Sequence, residues 1–172
     1  MQFKQKILFS KEECDSILKR YIVKPIGEIK QQKHRSYISK KIDWVKDSWI
    51  LDRLINWIET ELNIKIDWDN TSFKEFYLQS YNEGDKFETH SDNVYNRAYG
   101  MGVLLNDTFE GGEFIVHLSN SESVTFDKKI GNCYLFHSHL LHEVKVITKG
   151  NRNVLLLFLQ NSQIMFKRNQ LI

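Results

Sequence analysis

The sequence predicts an α+β protein, mainly β, with N-terminal helices packed on one face of a jelly-roll. Three observations lead there. A helix-start signature and one amphipathic stretch fall within the first 62 residues. From Phe73 onward the helical period stops, and short β-rich runs alternate with turn residues. Helices first and strands afterwards is the order expected when helices sit on one side of a sheet, and many short strands at this spacing indicate a sandwich or barrel.

The elements follow in chain order. Ser10-Lys11-Glu12-Glu13 is a capping box, in which the Ser hydroxyl accepts from the Glu13 amide while Glu13 reaches back. A short helix should follow through about Lys19. Residues 20–30 and 35–42 look extended. Asp47-Ser48 opens a second helix, where Ile50, Leu51, Leu54, Ile55, Ile58 and Leu62 recur at helical spacing. Asn63 is its expected stop. Strands are predicted near 73–81, 98–105, 113–118, 122–126, 132–137, 141–147 and 153–160. Turn signals separate them at Asn82-Glu83-Gly84-Asp85, Asn106-Asp107, Gly111-Gly112, Gly131-Asn132 and Lys149-Gly150-Asn151.

The 172 residues fit a single domain over 1–172, with about 1–70 a mixed support region and about 71–168 the jelly-roll core. Hydrophobic residues make up 41% and charged residues 27%, an ordinary globular mix whose apolar runs are too short to span a bilayer. The formal charge of +2, with both signs interspersed, argues against nucleic acid or an anionic membrane as partner. Met1-Gln2-Phe3-Lys4-Gln5-Lys6 lacks the apolar stretch of a signal peptide. Cys14 and Cys133 fit no C-x-x-C pattern, so a reduced, cytoplasmic setting is expected. The only proline is Pro25, and no linker divides the chain.

Four of the six histidines (His117, His137, His139 and His142) fall within 26 residues of the β-rich half; the other two are His34 and His90. The grouping that draws attention is His90-Ser91-Asp92. Residues i and i+2 of a strand share a face, so an imidazole and a carboxylate at that spacing can grip one metal ion. A third ligand from a distant strand would complete a facial triad with open positions. Composition alone yields roughly 0.35 such His-x-Asp pairs by chance, and a hydrogen-bonded surface pair is the alternative. Arg152 opens the apolar run Asn153-Val154-Leu155-Leu156-Leu157-Phe158-Leu159. An arginine entering a buried strand must meet an anion, and its fork suits a carboxylate. Two alternatives stand beside this: Arg152 points to solvent at the strand end, or it pairs with an internal Asp or Glu.

From Tyr81 to Arg152 the chain resembles the Fe(II)/2-oxoglutarate-dependent oxygenases, in particular their prolyl 4-hydroxylase-like branch. Four motifs appear in order. The segment from Tyr81-Asn82-Glu83-Gly84 through Phe87 to His90-Ser91-Asp92 resembles the family's lead into His-x-Asp. Arg97 through Leu105-Asn106-Asp107 resembles its arginine-led strand, and Glu110-Gly111-Gly112-Glu113-Phe114 its Gly-Gly-Glu turn. Phe136-His137-Ser138, His142-Glu143-Val144 and Gly150-Asn151-Arg152 resemble its distal-histidine segment. Phe9-Ser10-Lys11-Glu12-Glu13-Cys14 is a fainter echo.

The resemblance implies a double-stranded β-helix (jelly-roll, cupin-like) core flanked by helices. It implies that His90, Asp92 and His142 bind Fe(II), and that Arg152 binds the distal carboxylate of 2-oxoglutarate with help from the Tyr81 hydroxyl. Iron follows from the resemblance; the ligand set alone also permits manganese or cobalt. It further implies O2 as cosubstrate and ascorbate as a candidate stimulant. The expected reaction is hydroxylation of an aliphatic C–H with release of succinate and CO2. Asp92 occupies the position that halogenating relatives leave to halide, which favours hydroxylation; desaturation and ring formation stay open. Arg97 stands where relatives use an arginine near substrate, and Asn93 and Tyr95 lie in a loop placed to touch it. His137 and His139 are expected at the surface or behind the ligands, and His117 in a structural role. Two departures stand out. Leu104 replaces a tyrosine that many relatives place near 2-oxoglutarate, and Phe158 replaces a tryptophan.

Three substrate readings follow: an amino-acid side chain in a peptide or protein, a free amino acid or small metabolite, or a metal- or ligand-binding jelly-roll without turnover. Trp57 is expected in the helix core, with Trp44 and Trp68 candidates for exposure. An aromatic groove would suit a proline-containing chain; plain packing is the other use of such tryptophans.

Overall fold

A computed structural model of the chain describes residues 3–22, 28–32, 35–42, 45–70 and 74–166. Pro25, His34, Trp44 and Phe73 lie outside these residues. The chain starts with strand β1 (Phe3–Ile7), helix α1 (Lys11–Ile22), the hairpin strands β2 (Glu28–Gln32) and β3 (Arg35–Lys41), helix α2 (Ser48–Leu62) and β4 (Ile64–Ile66). The strand-rich part then runs β5 (Glu75–Tyr81), β6 (Phe87–His90), β7 (Arg97–Leu104), β8 (Glu110–Gly111), β9 (Phe114–His117) and β10 (Ser123–Thr125). It continues through β11 (Asn132–His137), β12 (Leu141–Val144), β13 (Ile147–Lys149), β14 (Arg152–Gln160) and β15 (Ile164–Phe166).

The capping box of α1 forms as its sequence predicts. The Glu13 amide donates to Ser10 Oγ at 3.2 Å, and the Ser10 amide donates to Glu13 Oε2 at 2.9 Å. The helix runs three residues past Lys19, so residues 20–22 are helical and not extended. Tertiary contacts explain this: Ile17 and Tyr21, four apart, are both buried, and Arg20 and the Tyr21 hydroxyl both donate to Asp47. Asp47 therefore does not cap α2 with its side chain; it is a buried acceptor for α1. Asn63 closes α2 in the left-handed conformation (φ 52°), its amide donating to Glu59 O. Trp57 lies in the core. Trp68 is also buried, against the expectation of exposure, because it packs into the same core as α2.

Ten strands form one continuous order, β1-β11-β7-β14-β5-β3-β6-β12-β9-β10, and β2 adds to β3. The order turns a corner at β3–β6, where a single pair, Arg35↔Phe87, joins the halves. The larger half is β1-β11-β7-β14-β5-β3, and the smaller is β6-β12-β9-β10. Their inner faces meet: Phe114 of β9 stacks on Tyr134 of β11 with ring centroids 4.3 Å apart. This is the double-stranded β-helix, with α1 and α2 on the outside of the larger half.

Period-2 alternation sorts each central strand between two cores. On β11, Cys133 and Leu135 face the helices while Tyr134 and Phe136 face inward. On β14, Leu155, Leu157 and Leu159 join the helix-side cluster, leaving Arg152, Val154, Leu156 and Phe158 for the interior. Both faces being covered explains why this strand reads as one unbroken apolar run. The N-terminal β1 and β3 belong to the same sheet, β1 pairing with β11 and β3 with β5. The predicted run at 141–147 is two strands, β12 and β13, separated by exposed Lys145 and Val146.

Candidate metal centre

His90 is the last residue of β6 and His142 the second of β12, and the antiparallel register sets them directly opposite. Asp92 lies two residues past the end of β6, so a loop and not a strand places it. That loop is tied down because the Asp92 amide donates to Ser138 O at 2.9 Å, and the Ser138 amide to Ala98 O at 3.0 Å. One ligand atom from each of His90, Asp92 and His142 lies within 4.8 Å of the others, the one such group of three found among the described residues. His142 Nε2 is 3.2 Å from Asp92 Oδ2, and His90 Nε2 is 3.8 Å from Asp92 Oδ1.

The far sides of both rings are anchored alike. His90 Nδ1 is 2.7 Å from Glu88 O, and His142 Nδ1 is 2.9 Å from Leu140 O. A carbonyl only accepts, which assigns the proton to Nδ1 in each ring and leaves both Nε2 lone pairs facing the centre. Phe87 stacks on His90 (centroids 3.6 Å apart), and Phe136 packs against His142 (4.6 Å). Burial acts to raise the Asp92 carboxyl, but in the absence of a metal, protonated His142 and His90, with Nε2–H facing the carboxylate, and the Arg97 cation outweigh it and hold the group below the usual carboxylate range.

A cavity of about 710 Å³ runs from this triad between the two sheet halves to Arg152. Arg152 begins β14 opposite Tyr81 of β5 and is 1% exposed. It points inward, not to solvent, and its Nη2 is buried with no hydrogen-bond partner among the described residues. The Tyr81 ring lies 5.4 Å from the guanidinium carbon, and the Tyr81 hydroxyl donates to Gln79 Oε1 at 3.0 Å. Burial pushes the Tyr81 phenol up. It pushes Tyr134 up to about 12, with Arg152 opposing.

Tyr134 is a cavity residue that motif matching did not single out. It fits because β7 has glycine opposite it: a Cβ at Gly102 would lie 2.0 Å from Tyr134 Cζ, and one at Gly100 2.6 Å from Phe136 Cζ. The legible signal is Gly100-Met101-Gly102 in an apolar strand, matched by Tyr134-Leu135-Phe136. Glu75, a buried carboxylate on β5, is a second omission.

The residues expected at the substrate divide. Tyr95 lines the cavity mouth, 72% exposed and in the left-handed region (φ 52°). Asn93 is exposed and does not line the cavity. Arg97 lines it but is bound by Glu75 and, through Nη1, by the ligand Asp92. Leu104 is buried in the interior cluster away from the cavity lining, and Phe158 lies 3.9 Å beneath the Arg97 guanidinium. Among the remaining histidines, His117 pairs with Glu143 at 3.3 Å, and His137 and His139 face each other with Nδ1 atoms 3.0 Å apart.

Comparison with known proteins agrees with this geometry. The 2OG-Fe(II) oxygenase superfamily profile matches residues 76–160. A PKHD-type hydroxylase of Idiomarina loihiensis is 26% identical over 90 residues, which are 49% of this chain and only 41% of that protein. The fold is that of a Pseudomonas putida prolyl-4-hydroxylase: TM-score 0.75 at 16% identity, covering 93% of each chain. A Trichoplax adhaerens prolyl hydroxylase, solved with a hypoxia inducible factor peptide fragment, gives a TM-score of 0.71 at 16% identity, covering 91% of this chain and 82% of that one. A viral collagen prolyl hydroxylase from Paramecium Bursaria Chlorella virus-1, in its 2OG complex, gives 0.63 at 16% identity, covering 97% of each. Residues 76–160 are thus those of a 2OG-Fe(II) oxygenase by profile, and the fold is one that prolyl hydroxylases share. That family implies Fe(II), 2-oxoglutarate and O2, and the residues fit them. Two neutral imidazoles and a carboxylate suit a divalent transition metal with open positions, and the unpartnered Arg152 nitrogen calls for an anion in the same cavity.

Proposed function

We propose that this protein is an Fe(II)- and 2-oxoglutarate-dependent hydroxylase of an aliphatic C–H on an amino-acid side chain, proline-like, within a peptide or protein. The observation that carries the reading is the pairing, in one cavity, of a three-ligand donor set with a buried arginine whose Nη2 lacks an acceptor among the described residues. Bound there, Fe(II) with 2-oxoglutarate and O2 supplies the oxidising power for hydroxylation, with succinate and CO2 as the other products.

The chain's own residues bind, orient and exclude water. His90, Asp92 and His142 hold the metal through two Nε2 atoms and a carboxylate oxygen. Arg152 would bind the distal carboxylate of 2-oxoglutarate, with Nη2 as the nitrogen that lacks a partner among the described residues. Tyr81 and Tyr134, both uncharged at neutral pH, offer neutral phenols beside that arginine. Phe114, Phe136, Val154 and Leu156 make the walls apolar, which strengthens every charge interaction inside. Tyr77, Tyr95 and Phe158 add aromatic groups to the lining and Ser39 and Gln160 polar atoms, a mixture that suits a proline ring carried on a backbone.

The test has two stages. Metal-free protein is titrated anaerobically with Fe(II) and then 2-oxoglutarate, following the visible charge-transfer band. The band is expected in wild type, lost in His142→Ala, and to need far more 2-oxoglutarate in Arg152→Ala. Absence of the band from folded wild type would remove the oxygenase reading and leave a binding module. Succinate formation is then compared between proline-containing peptides and free amino acids. Turnover with free amino acids alone would overturn the peptide reading in favour of a small-molecule oxygenase.

A further inference from the structure

We infer that Glu75 and Arg97 are a positioning pair that fixes the Asp92 carboxylate for the metal, so that Arg97 serves the metal centre and not the substrate. This rests on the metal-centre reading above.

Glu75 opens β5 and its side chain is 2% exposed. A carboxylate so buried requires a cation with good geometry. Arg97, the first residue of β7, supplies it as a fork: Nε donates to Oε2 at 2.7 Å and Nη2 to Oε1. The remaining nitrogen, Nη1, donates to Asp92 Oδ1 at 3.4 Å. All three guanidinium nitrogens are thus engaged by two carboxylates, and neither carboxylate belongs to a substrate. The guanidinium face lies on the Phe158 ring at 3.9 Å, which fixes its plane.

The backbone repeats the arrangement. Ser138, 2% exposed, donates from Oγ to Arg97 O at 2.5 Å, while its own carbonyl accepts the Asp92 amide. Asp92 and Arg97 are therefore joined through side chains and through Ser138. The consequence lies at the carboxylate: Oδ1 is held by Arg97, and Oδ2 is turned to within 3.2 Å of His142 Nε2. Glu75 determines the guanidinium's orientation, and the guanidinium determines the carboxylate's. Without Glu75 the Nε–Nη2 fork is released and the arginine can turn it onto Asp92, where it would compete with the metal for the carboxylate.

The test measures Mn(II) binding to metal-free wild type, Glu75→Gln and Arg97→Lys by the EPR signal of free Mn(II), and Co(II) binding by its visible spectrum. Partners of metal-ligating groups contribute roughly 10–100-fold in affinity. Both variants are expected to weaken Mn(II) by a factor in that range and to shift the Co(II) bands. At saturating Fe(II), the KM for a peptide substrate is expected to stay near wild type. Unchanged Mn(II) affinity with a raised peptide KM would overturn the proposal and make Arg97 a substrate residue. Unchanged values throughout would make the pair purely structural, which also overturns it. Failure of wild type to bind Mn(II) would instead strike the metal-centre reading itself. Melting of the metal-free proteins separates lost fold from lost affinity, and the near-isosteric Glu75→Gln keeps the test open if Arg97→Lys does not fold.

Discussion

Gly102 shows how a missing side chain can build a site. Tyr134 sits directly across the β7–β11 pair from it, and a methyl group there would occupy the space of the phenol. Gly102→Ala is expected to cost about 1–3 kcal/mol through overpacking, or a fall in Tm of about 2–12 °C at this chain length. Calorimetry checks this, and the loss should shrink in Gly102→Ala/Tyr134→Ala, where the clash is removed. Arg152 makes a different prediction. Removing a charged hydrogen-bond donor costs about 1.5–3 kcal/mol, so Arg152→Ala should raise the 2-oxoglutarate KM by roughly 10–100-fold. At this scale His90 and Asp92 are legible in one motif and His142 and Arg152 in another, because the motifs come in order. Tyr134 is marked only by the glycines of Gly100-Met101-Gly102, and which strand faces them is set by register; Glu75 has no local mark at all, since its significance comes from Arg97 on the next strand but one.

Helix and strand limits follow the same division. The start of α1 is written in four residues, and Ser10→Ala should cost about 1 kcal/mol, measurable by denaturant unfolding. Glu13 adds a pH dependence. The Arg53 hydrogen bond, at 2.7 Å, and that of the Ser10 amide hold its carboxyl below the usual glutamate range. A lowered folded pKa contributes stability that is present above the unfolded value and lost as pH falls through the folded one. Glu13→Gln should therefore lower Tm at pH 7, and the gap to wild type should close as pH drops below about 4.3. The end of α1 is not local, because Arg20 and Tyr21 stay helical through their bonds to Asp47. Strands β4, β6, β8 and β15, two to four residues each, are too short to show a period. β1 reads as polar sequence because its side chains are half-buried or exposed, and only pairing with β11 makes it a strand.

The whole molecule ties the two ends of the cavity to global stability. The triad joins β6 to β12 in the smaller half, while Arg152 belongs to β14 in the larger. Ligands that bind only the folded state stabilise it by about 2.7 kcal/mol at a hundredfold excess over Kd, which is about 5–11 °C in Tm at this size. Mn(II) is expected to raise Tm and 2-oxoglutarate to raise it further by thermal-shift assay, with EDTA reversing both. Arg152→Ala should keep the metal increment and lose the 2-oxoglutarate increment, and His142→Ala should lose both.

The order of chemistry along the chain belongs to the sequence: helices before strands, a His-x-Asp before a distal histidine, and an arginine ten residues after it. These are local patterns: periodicity and turn residues suffice for the fold class, and the ordered motifs, through their resemblance to the oxygenase family, pick out the four residues with the strongest claims. The direction each side chain faces is tertiary. Arg152 is buried and inward because β14 is covered on both faces; Arg97 is turned to Asp92 because Glu75 lies on the next strand but one. Register between distant strands sets those contacts, and register is the product of the packed sheet as a whole.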